Sequence, residues 1–359
     1  MQQHHLSLLL LLLLLPTTAS LGVTYSNNRQ QPDRIAAAMQ TLKLTSIRLK
    51  EPDPAIMRSL LYSNISIFLT VPNHMVTSMA NNLSTARAWI YTHVVPYYPR
   101  AKITTISVGN AFIDVYPQAA NNLLLAISNI QVSLRDLGIR KIAVSTSFSF
   151  DTVVTSPFPP SSATFQDPAG VNLMGSLLEF LSDNNFSFLI NLYPYNLYRL
   201  HPEIPLGLAL FQENSFNFHD DVTTRSRYWN LFDMMVDAVA SAMAEAGYET
   251  IPIVVTETGW PSSDAADEFN ANLGYAETYL RGLVNHLSSG TGTPLLKDGV
   301  QQVYVYELFD RKGTTTGRDW GILYPNGTAK YHVDFSAVSS RSSITVALVI
   351  FWLLVQLVY

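Results

Sequence analysis

Two hydrophobic patterns alternate along the chain. Short apolar runs rich in β-branched and aromatic residues occupy positions 22–25, 46–49, 65–71, 104–108, 142–146, 188–193, 253–256 and 302–306. Each has the length and make-up of a buried strand. Between them, apolar residues recur at three- and four-residue spacing over 33–42, 83–94, 122–137, 175–184, 228–246 and 270–287. That spacing predicts helices with one apolar face. In 122–137, for instance, Leu124, Leu125, Ile127, Ile130 and Leu134 can share a face, and Leu137-Gly138 stops the helix. Strands alternating with helices predict a parallel sheet, and eight such units predict closure into one α/β domain, a (β/α)8 TIM barrel. An open doubly wound sheet is the rival, but no Gly-rich phosphate turn follows the first strand. The longer connections 151–171 and 199–227 are expected to wall a cleft at the C-terminal face of the barrel.

Both ends of the chain depart from this alternation. Leu8 to Leu15 is an unbroken apolar run followed by Pro16-Thr17-Thr18-Ala19-Ser20, which predicts a signal peptide cleaved before Leu21. The run is far short of the ~20 residues that a membrane-spanning helix needs. Ile344 to Tyr359 is almost wholly apolar, with Thr345 and Gln356 the exceptions, and the small polar stretch Ser336-Ala337-Val338-Ser339-Ser340-Arg341-Ser342-Ser343 precedes it. This predicts a GPI-attachment signal, with attachment within 336–340 and a membrane link through the anchor. The expected layout is therefore a signal peptide at 1–20, a barrel at 21–335 and an attachment signal at 336–359. Asn64, Asn82, Asn185 and Asn326 each head an Asn-x-Ser/Thr sequon, in keeping with a secreted or cell-wall destination.

Composition narrows the chemistry. Charged residues make up 14% of the chain and the net charge is −5, so no basic face for nucleic acid is indicated. Cysteine is absent, which excludes disulfides, Cys-ligated zinc and a thiol nucleophile. No His cluster has metal-ligand spacing and no Gly-x-Ser-x-Gly elbow occurs, so neither a metal nor a cofactor is expected. The predicted strand ends instead carry amides, phenols and carboxylates: Tyr25, Lys50-Glu51, Asn73, Gly109-Asn110, Asn191, Tyr193, Tyr195, Glu257 and Glu307. Such groups suit a site that hydrogen-bonds neutral hydroxyls. The sharpest signal is Ile253-Val254-Val255-Thr256-Glu257-Thr258-Gly259-Trp260-Pro261-Ser262, a buried strand that ends in a carboxylate and breaks at once. A barrel enzyme presents a catalytic group at its rim in this way. A strand-end Glu in a surface salt bridge is the plainer alternative, and rim packing is the plainer role for each aromatic.

Taken in order, these motifs resemble the plant-type β-1,3-glucanases of glycoside hydrolase family 17. The resemblance runs from Leu21 to about Phe335. It is carried by Leu21-Gly22-Val23-Thr24-Tyr25, Ile47-Arg48-Leu49, Val71-Pro72-Asn73, Ser107-Val108-Gly109-Asn110 and Asn191-Leu192-Tyr193-Pro194-Tyr195. Asn230-Leu231-Phe232-Asp233, the Thr256–Ser262 run and Trp320-Gly321-Ile322-Leu323-Tyr324-Pro325 complete it. It implies a monomer that cleaves internal bonds of β-1,3-glucan with retention. Retention requires two carboxyl groups about 5–5.5 Å apart, one a nucleophile and the other an acid and then a base. Glu257 matches the nucleophile. Tyr25, Asn73, Asn110, Tyr193, Tyr195 and Trp260 are implied to bind substrate or orient Glu257.

At one point the chain leaves the family pattern. The resemblance places the family's acid at the Glu directly after Gly-Asn on strand four, and here Ala111 follows Gly109-Asn110. Either Glu is replaced by Ala or one residue is lost from a Gly-Asn-Glu-Ala-Phe run, and both leave no acid there. General acid help is worth about 10²- to 10⁴-fold, so activity on natural glucan is expected to be impaired. Asp114, Glu51 and Glu307 are the carboxyls to consider as substitutes. The loop after strand eight differs as well: Arg311 and Gly317 stand in effect where the family has acids, and Lys50 stands where Tyr is usual. The competing expectation is a catalytically inactive β-glucan-binding protein on the same barrel.

Overall fold

The computed structural model describes residues 19–26, 30–166, 173–264, 268–311 and 317–338. The apolar runs at both ends lie outside these residues, as does most of the expected attachment signal. Eight parallel strands close a barrel: β1 Ser20–Tyr25, β2 Ser46–Leu49, β3 Ser66–Val71, β4 Lys102–Asn110, β5 Ala143–Ser149, β6 Phe188–Asn191, β7 Ile253–Thr258 and β8 Gln302–Tyr306. They follow one another around the barrel in chain order, and β1 closes the ring by pairing with both β2 and β8. The predicted (β/α)8 barrel is therefore the observed fold.

Side chains on a strand alternate between the helices outside and the barrel interior. Ile47 and Leu49 of β2 join the outer core, whereas Arg48 between them is fully buried and reaches across to β7. Phe68, Leu189, Val254 and Tyr304 form a separate apolar layer, the plug in the middle of the barrel. Gly22 makes room for that plug: a Cβ there would sit 2.7 Å from two ring carbons of Tyr304. Polar groups lie on either side of the plug. Thr24, Arg48, Ser147, Asn191 and Thr256 link to one another near the C-terminal ends of the strands.

The outer helices are set by local capping. Asp53 accepts hydrogen bonds from Ala55 N–H and Ile56 N–H, with Pro54 in the first turn that follows. Asn230 caps Leu231–Glu245 by accepting from Asp233 N–H at 2.7 Å. Asn272 caps Leu273–Ser289, which ends on the left-handed Gly290. The helix Asn121–Asp136 buries Leu123, Ala126, Ile127, Ile130 and Leu134, while Leu125 is exposed. The buried face is thus rotated from the predicted one, towards Leu123 and away from Leu125.

The two long connections brace each other. Ser161 donates through its N–H and its hydroxyl to Asp221, at 3.0 and 2.9 Å, and Asp221 heads the hairpin His219–Asp221/Ser226–Tyr228. A further support lies after β8. Lys330 and Asp310 form a buried ion pair at 2.7 Å, and Asp310 Oδ1 also accepts from Gly321 N–H. This pair holds the segment around Trp320 against the end of β8, where Glu307 N–H donates to Trp320 C=O.

Candidate active site

Glu257 sits one residue before the end of β7 and is almost wholly buried, at 4% exposure. Four groups converge on its carboxylate. Arg48 Nη1 lies 2.7 Å from Oε1, Lys50 Nζ 3.3 Å and Asn110 Nδ2 3.4 Å, while Tyr193 donates its hydroxyl to Oε2 at 2.7 Å. Burial alone would raise the Glu257 pKa. The charges of Lys50 and Arg48 and the Tyr193 hydrogen bond outweigh it and hold the carboxyl below its ordinary value. That direction favours the ionised form, the form in which a carboxylate acts as a nucleophile.

Arg48 organises this layer. Its guanidinium donates to Glu257 Oε1, to Thr256 C=O at 3.1 Å, to Asn110 Oδ1 at 2.7 Å and to Ser147 Oγ at 3.3 Å, so β2 is tied to β7, β4 and β5. Asn191 Nδ2 also donates to Asn110 Oδ1, at 3.1 Å, and Asn191 accepts from Thr256. Asn110 is therefore held by two donors on its oxygen while its amide nitrogen faces Glu257. Asn73 fixes the Asn110 backbone, accepting from its N–H at 2.8 Å and donating to its C=O at 2.9 Å. These contacts give Asn73 a bracing place behind Asn110.

The strand-four turn is tight. Gly109 has φ +79°, and a Cβ there would lie 3.1 Å from Asn73 Oδ1, so the clamp on Asn110 requires glycine. Ala111 follows in the left-handed region at φ 49°, half-buried, with its N–H donating to Ser147 C=O at 2.8 Å. Ala111 therefore puts a methyl group beside Asn110. Asp114 lies on the short helix Phe112–Val115 and is exposed. It sits near Asp151, whose pKa is raised by burial and then by the charge of Asp114. Glu307 is buried at the end of β8, 3.8 Å from Arg311 Nε.

Aromatic rings wall the site. Trp320 is partly exposed and meets the rings of Tyr193, Tyr195 and Tyr306 edge-on, with centroids 5.2, 5.9 and 6.1 Å away. Lys50 Nζ lies 5.1 Å from the Tyr306 ring centroid, and Arg311 donates to the Tyr306 hydroxyl at 3.1 Å. Of the residues expected from sequence, Glu257, Asn110 and Tyr193 come together directly. Tyr25, Tyr195 and Trp260 are each no more than 2% exposed. Tyr25 packs edge-on against Phe309, Tyr195 donates to Glu268, and the Trp260 indole N–H donates to Asn270 C=O. Their burial places them beneath the wall and offers a sugar no open ring face. Sequence reasoning placed Lys50 among the strand ends and Arg48 and Trp320 within motifs, but gave none of them, nor Tyr306, a role at Glu257. The signal for Arg48 was present: a charge at an inward position of a strand with Ile47 and Leu49 on either side.

Comparison with known proteins agrees with this geometry. A sequence profile of the glycosyl hydrolases family 17 matches residues 19–335. The probable glucan endo-1,3-beta-glucosidase A6 of Arabidopsis thaliana is 34% identical over 89% of this chain and 68% of its own length. Glucan endo-1,3-beta-glucosidase 3 of the same plant is 35% identical over 86% and 62%. The chain thus spans about three-fifths to two-thirds of these curated relatives. Among solved structures, CJP38, a beta-1,3-glucanase and allergen of Cryptomeria japonica pollen, superposes with a TM-score of 0.82 at 32% identity, covering 88% of this chain and 99% of that one. A structure described as one of two plant beta-glucan endohydrolases with distinct substrate specificities gives 0.78 at 29% identity, covering 87% and 99%. With the barrel, the strand-seven carboxylate and the profile match in agreement, the chain belongs to the glycosyl hydrolases family 17.

Proposed function

We propose that this chain acts on β-1,3-glucan as an endo-glucanase by a retaining displacement, and that its turnover of natural glucan is impaired at the protonation step. The observation that carries the reading is Glu257, ionised and buried at the rim between Arg48, Lys50, Asn110 and Tyr193. In this reading the carboxylate attacks the anomeric carbon, the glycosidic bond breaks, and a covalent glycosyl-enzyme forms. Tyr193 and Arg48 keep the carboxylate oriented, and Asn110 faces the sugar hydroxyl next to the reacting carbon. The leaving oxygen meets no acid from strand four, because Ala111 stands there. It departs as an alkoxide, or takes its proton from solvent, and water later attacks without a strand-four base.

The same residues support a second reading, a β-glucan-binding protein that no longer turns over. Four donors already engage the Glu257 oxygens, and Lys50 and Arg311 crowd Tyr306 at the mouth. We also read the chain as secreted and held at the outer face of the plasma membrane by a GPI anchor, on the strength of its two apolar ends.

The test compares the secreted protein with Ala111→Glu and Glu257→Gln on linear β-1,3-glucan and on a laminaribioside carrying a 2,4-dinitrophenyl leaving group. The aryl group departs without protonation. The natural form should cleave the aryl glycoside, Glu257→Gln should not, and cleavage of glucan should rise about 10²- to 10⁴-fold in Ala111→Glu. Glucan binding with no aryl-glycoside cleavage by the natural form would replace the hydrolase reading with the binding one.

A further inference from the structure

At the opposite end of the barrel from Glu257, the N-terminal ends of the strands surround a cavity of about 610 Å³. That volume falls in the range of about 300–1,000 Å³ that ligand sites occupy. Its lining carries hydroxyls and amides, Ser46, Ser66, Thr104, Ser187 and Gln302 among them, with Lys102 the one charged side chain among the described residues. Gln302 already donates to Ser46 and Ser187 to Gln301, leaving their other hydrogen-bonding capacity for a ligand. Leu189 and Val254 of the apolar plug form its floor, and half-buried Phe186 adds a ring. Ser145 also lines it. Ser145 is 1% exposed, and its hydroxyl has no hydrogen-bond partner among the described residues. A buried hydroxyl left unpaired is costly, and here it borders a cavity with room for a partner.

The cavity carries the attachment points for a ligand on its own rim. Asn64 and Asn185 both line it, both are exposed, and each heads a sequon whose hydroxyl residue, Ser66 or Ser187, lines it too. Asn64 precedes β3 and Asn185 precedes β6, three strands apart in a ring of eight. The two asparagines therefore stand on facing sides of the mouth. The other two sequon asparagines, Asn82 and Asn326, are exposed and are absent from this lining.

We propose that Asn64 and Asn185 are N-glycosylated and that the proximal N-acetylhexosamine units of these glycans fold into the basal cavity and cap the barrel. In the attachment step, the asparagine amide nitrogen displaces the pyrophosphate of a lipid-pyrophosphate-linked oligosaccharide. A C1–N bond forms, the C1–O bond to pyrophosphate breaks, and the amide proton passes to a base of the host transferase. The sugars then supply hydroxyl and acetamido partners to the Ser/Thr/Gln lining, while their C–H faces lie on Phe186 and the floor of the plug. The inference rests on the secretory reading and is independent of catalysis.

The experiment uses the full chain expressed in a eukaryotic secretory host. Glycopeptide mass spectrometry reads occupancy at all four sequons, and peptide-N-glycosidase release is timed on native and denatured protein. Asn64 and Asn185 should be occupied. Their native release should be at least about tenfold slower than that of glycans on Asn82 or Asn326, with no difference after denaturation; shielding of the scissile bond by a packed site is the cause. Hydrogen exchange at residues 102–105 and 143–145 should rise in the N64Q/N185Q double variant. Native release as fast as at Asn82 and Asn326, or unchanged exchange, would overturn the capping. Bare Asn64 and Asn185 beside a glycosylated Asn82 or Asn326 would overturn it while sparing the secretory reading, and four bare sequons would overturn both.

Discussion

Arg48 has 0% side-chain exposure and spends its charge on Glu257, with hydrogen bonds to Thr256, Asn110 and Ser147. Taking two charges out of water is costly, and the attraction between them repays that cost only when the geometry is good and further hydrogen bonds are made. Both conditions hold here. Removing one partner leaves the other charge buried, which typically costs about 3–5 kcal/mol. Arg48→Met should therefore lose about that much stability in a denaturant titration at neutral pH, with Lys50 covering part of the loss. Adding Glu257→Gln to Arg48→Met removes the stranded charge and should recover a measurable share. A single Arg48→Met variant as stable as the parent would show that the guanidinium is not the organiser of this layer. Ala111 makes the opposite point at the same scale. Its backbone bond to Ser147 keeps the strand-four turn in place although the side chain brings no chemistry. The turn thus keeps its geometry with only a methyl side chain at position 111.

Elements were legible to the degree that packing follows local pattern. The runs at 46–49 and 302–306 coincide with β2 and β8. β4 and β5 extend beyond their predicted stretches, because Asn110 still pairs with Ser147 after a register shift between Ser107 and Asn110, and Ser147–Ser149 pair with β6. β6 stops at Asn191, because Pro194 opens a helix two residues after Leu192. The helix Asn73–Asn81 was not anticipated, although Met75, Val76, Met79 and Ala80 have helical spacing and pack on the core; the run is short and follows directly on the end of β3. The Asn230-Leu231-Phe232-Asp233 motif gains a physical account. Asn230 caps the helix, and Asp233 pairs with His286 Nε2 at 2.9 Å, joining Leu231–Glu245 to Leu273–Ser289. Burial would lower the His286 pKa, but the hydrogen bond and charge of Asp233, with the charge of Glu213, raise it above its ordinary value. The raised value fixes the sign. The pair contributes in full below the unfolded histidine pKa of about 6.5 and fades as pH climbs through the higher folded value. His286→Gln should be less stable than the parent by about 1–3 kcal/mol at pH 6, the worth of a charged hydrogen bond. The gap should narrow by pH 9. A gap that is constant with pH would assign the effect to packing against Phe211 and Phe232 instead.

At the scale of the molecule, the site was legible only where one strand carries a whole motif. Glu257 could be named because its own strand announces it. Arg48 and Lys50 could not be placed on it, because only ring closure brings β2 across from β7, and no local pattern encodes that approach. Trp320 reaches the wall from the far side of β8 for the same reason. The proposed placement in the cell rests on segments outside the barrel. Among the described residues no helix is long and apolar enough to cross a membrane. The apolar tail at 344–359 has 16 residues, about 24 Å as a helix against a hydrocarbon core of about 30 Å. That length suits a signal exchanged for a lipid better than a span. Phosphatidylinositol-specific phospholipase C applied to expressing cells should therefore release most of the surface protein, and a chain ending at Ser343 should pass into the medium. Both outcomes are read by immunoblot of cells and medium. Surface protein that resists the lipase, together with a truncated chain that stays with the cells, would mean that the tail is not an attachment signal and that the barrel itself adheres to the wall glucan.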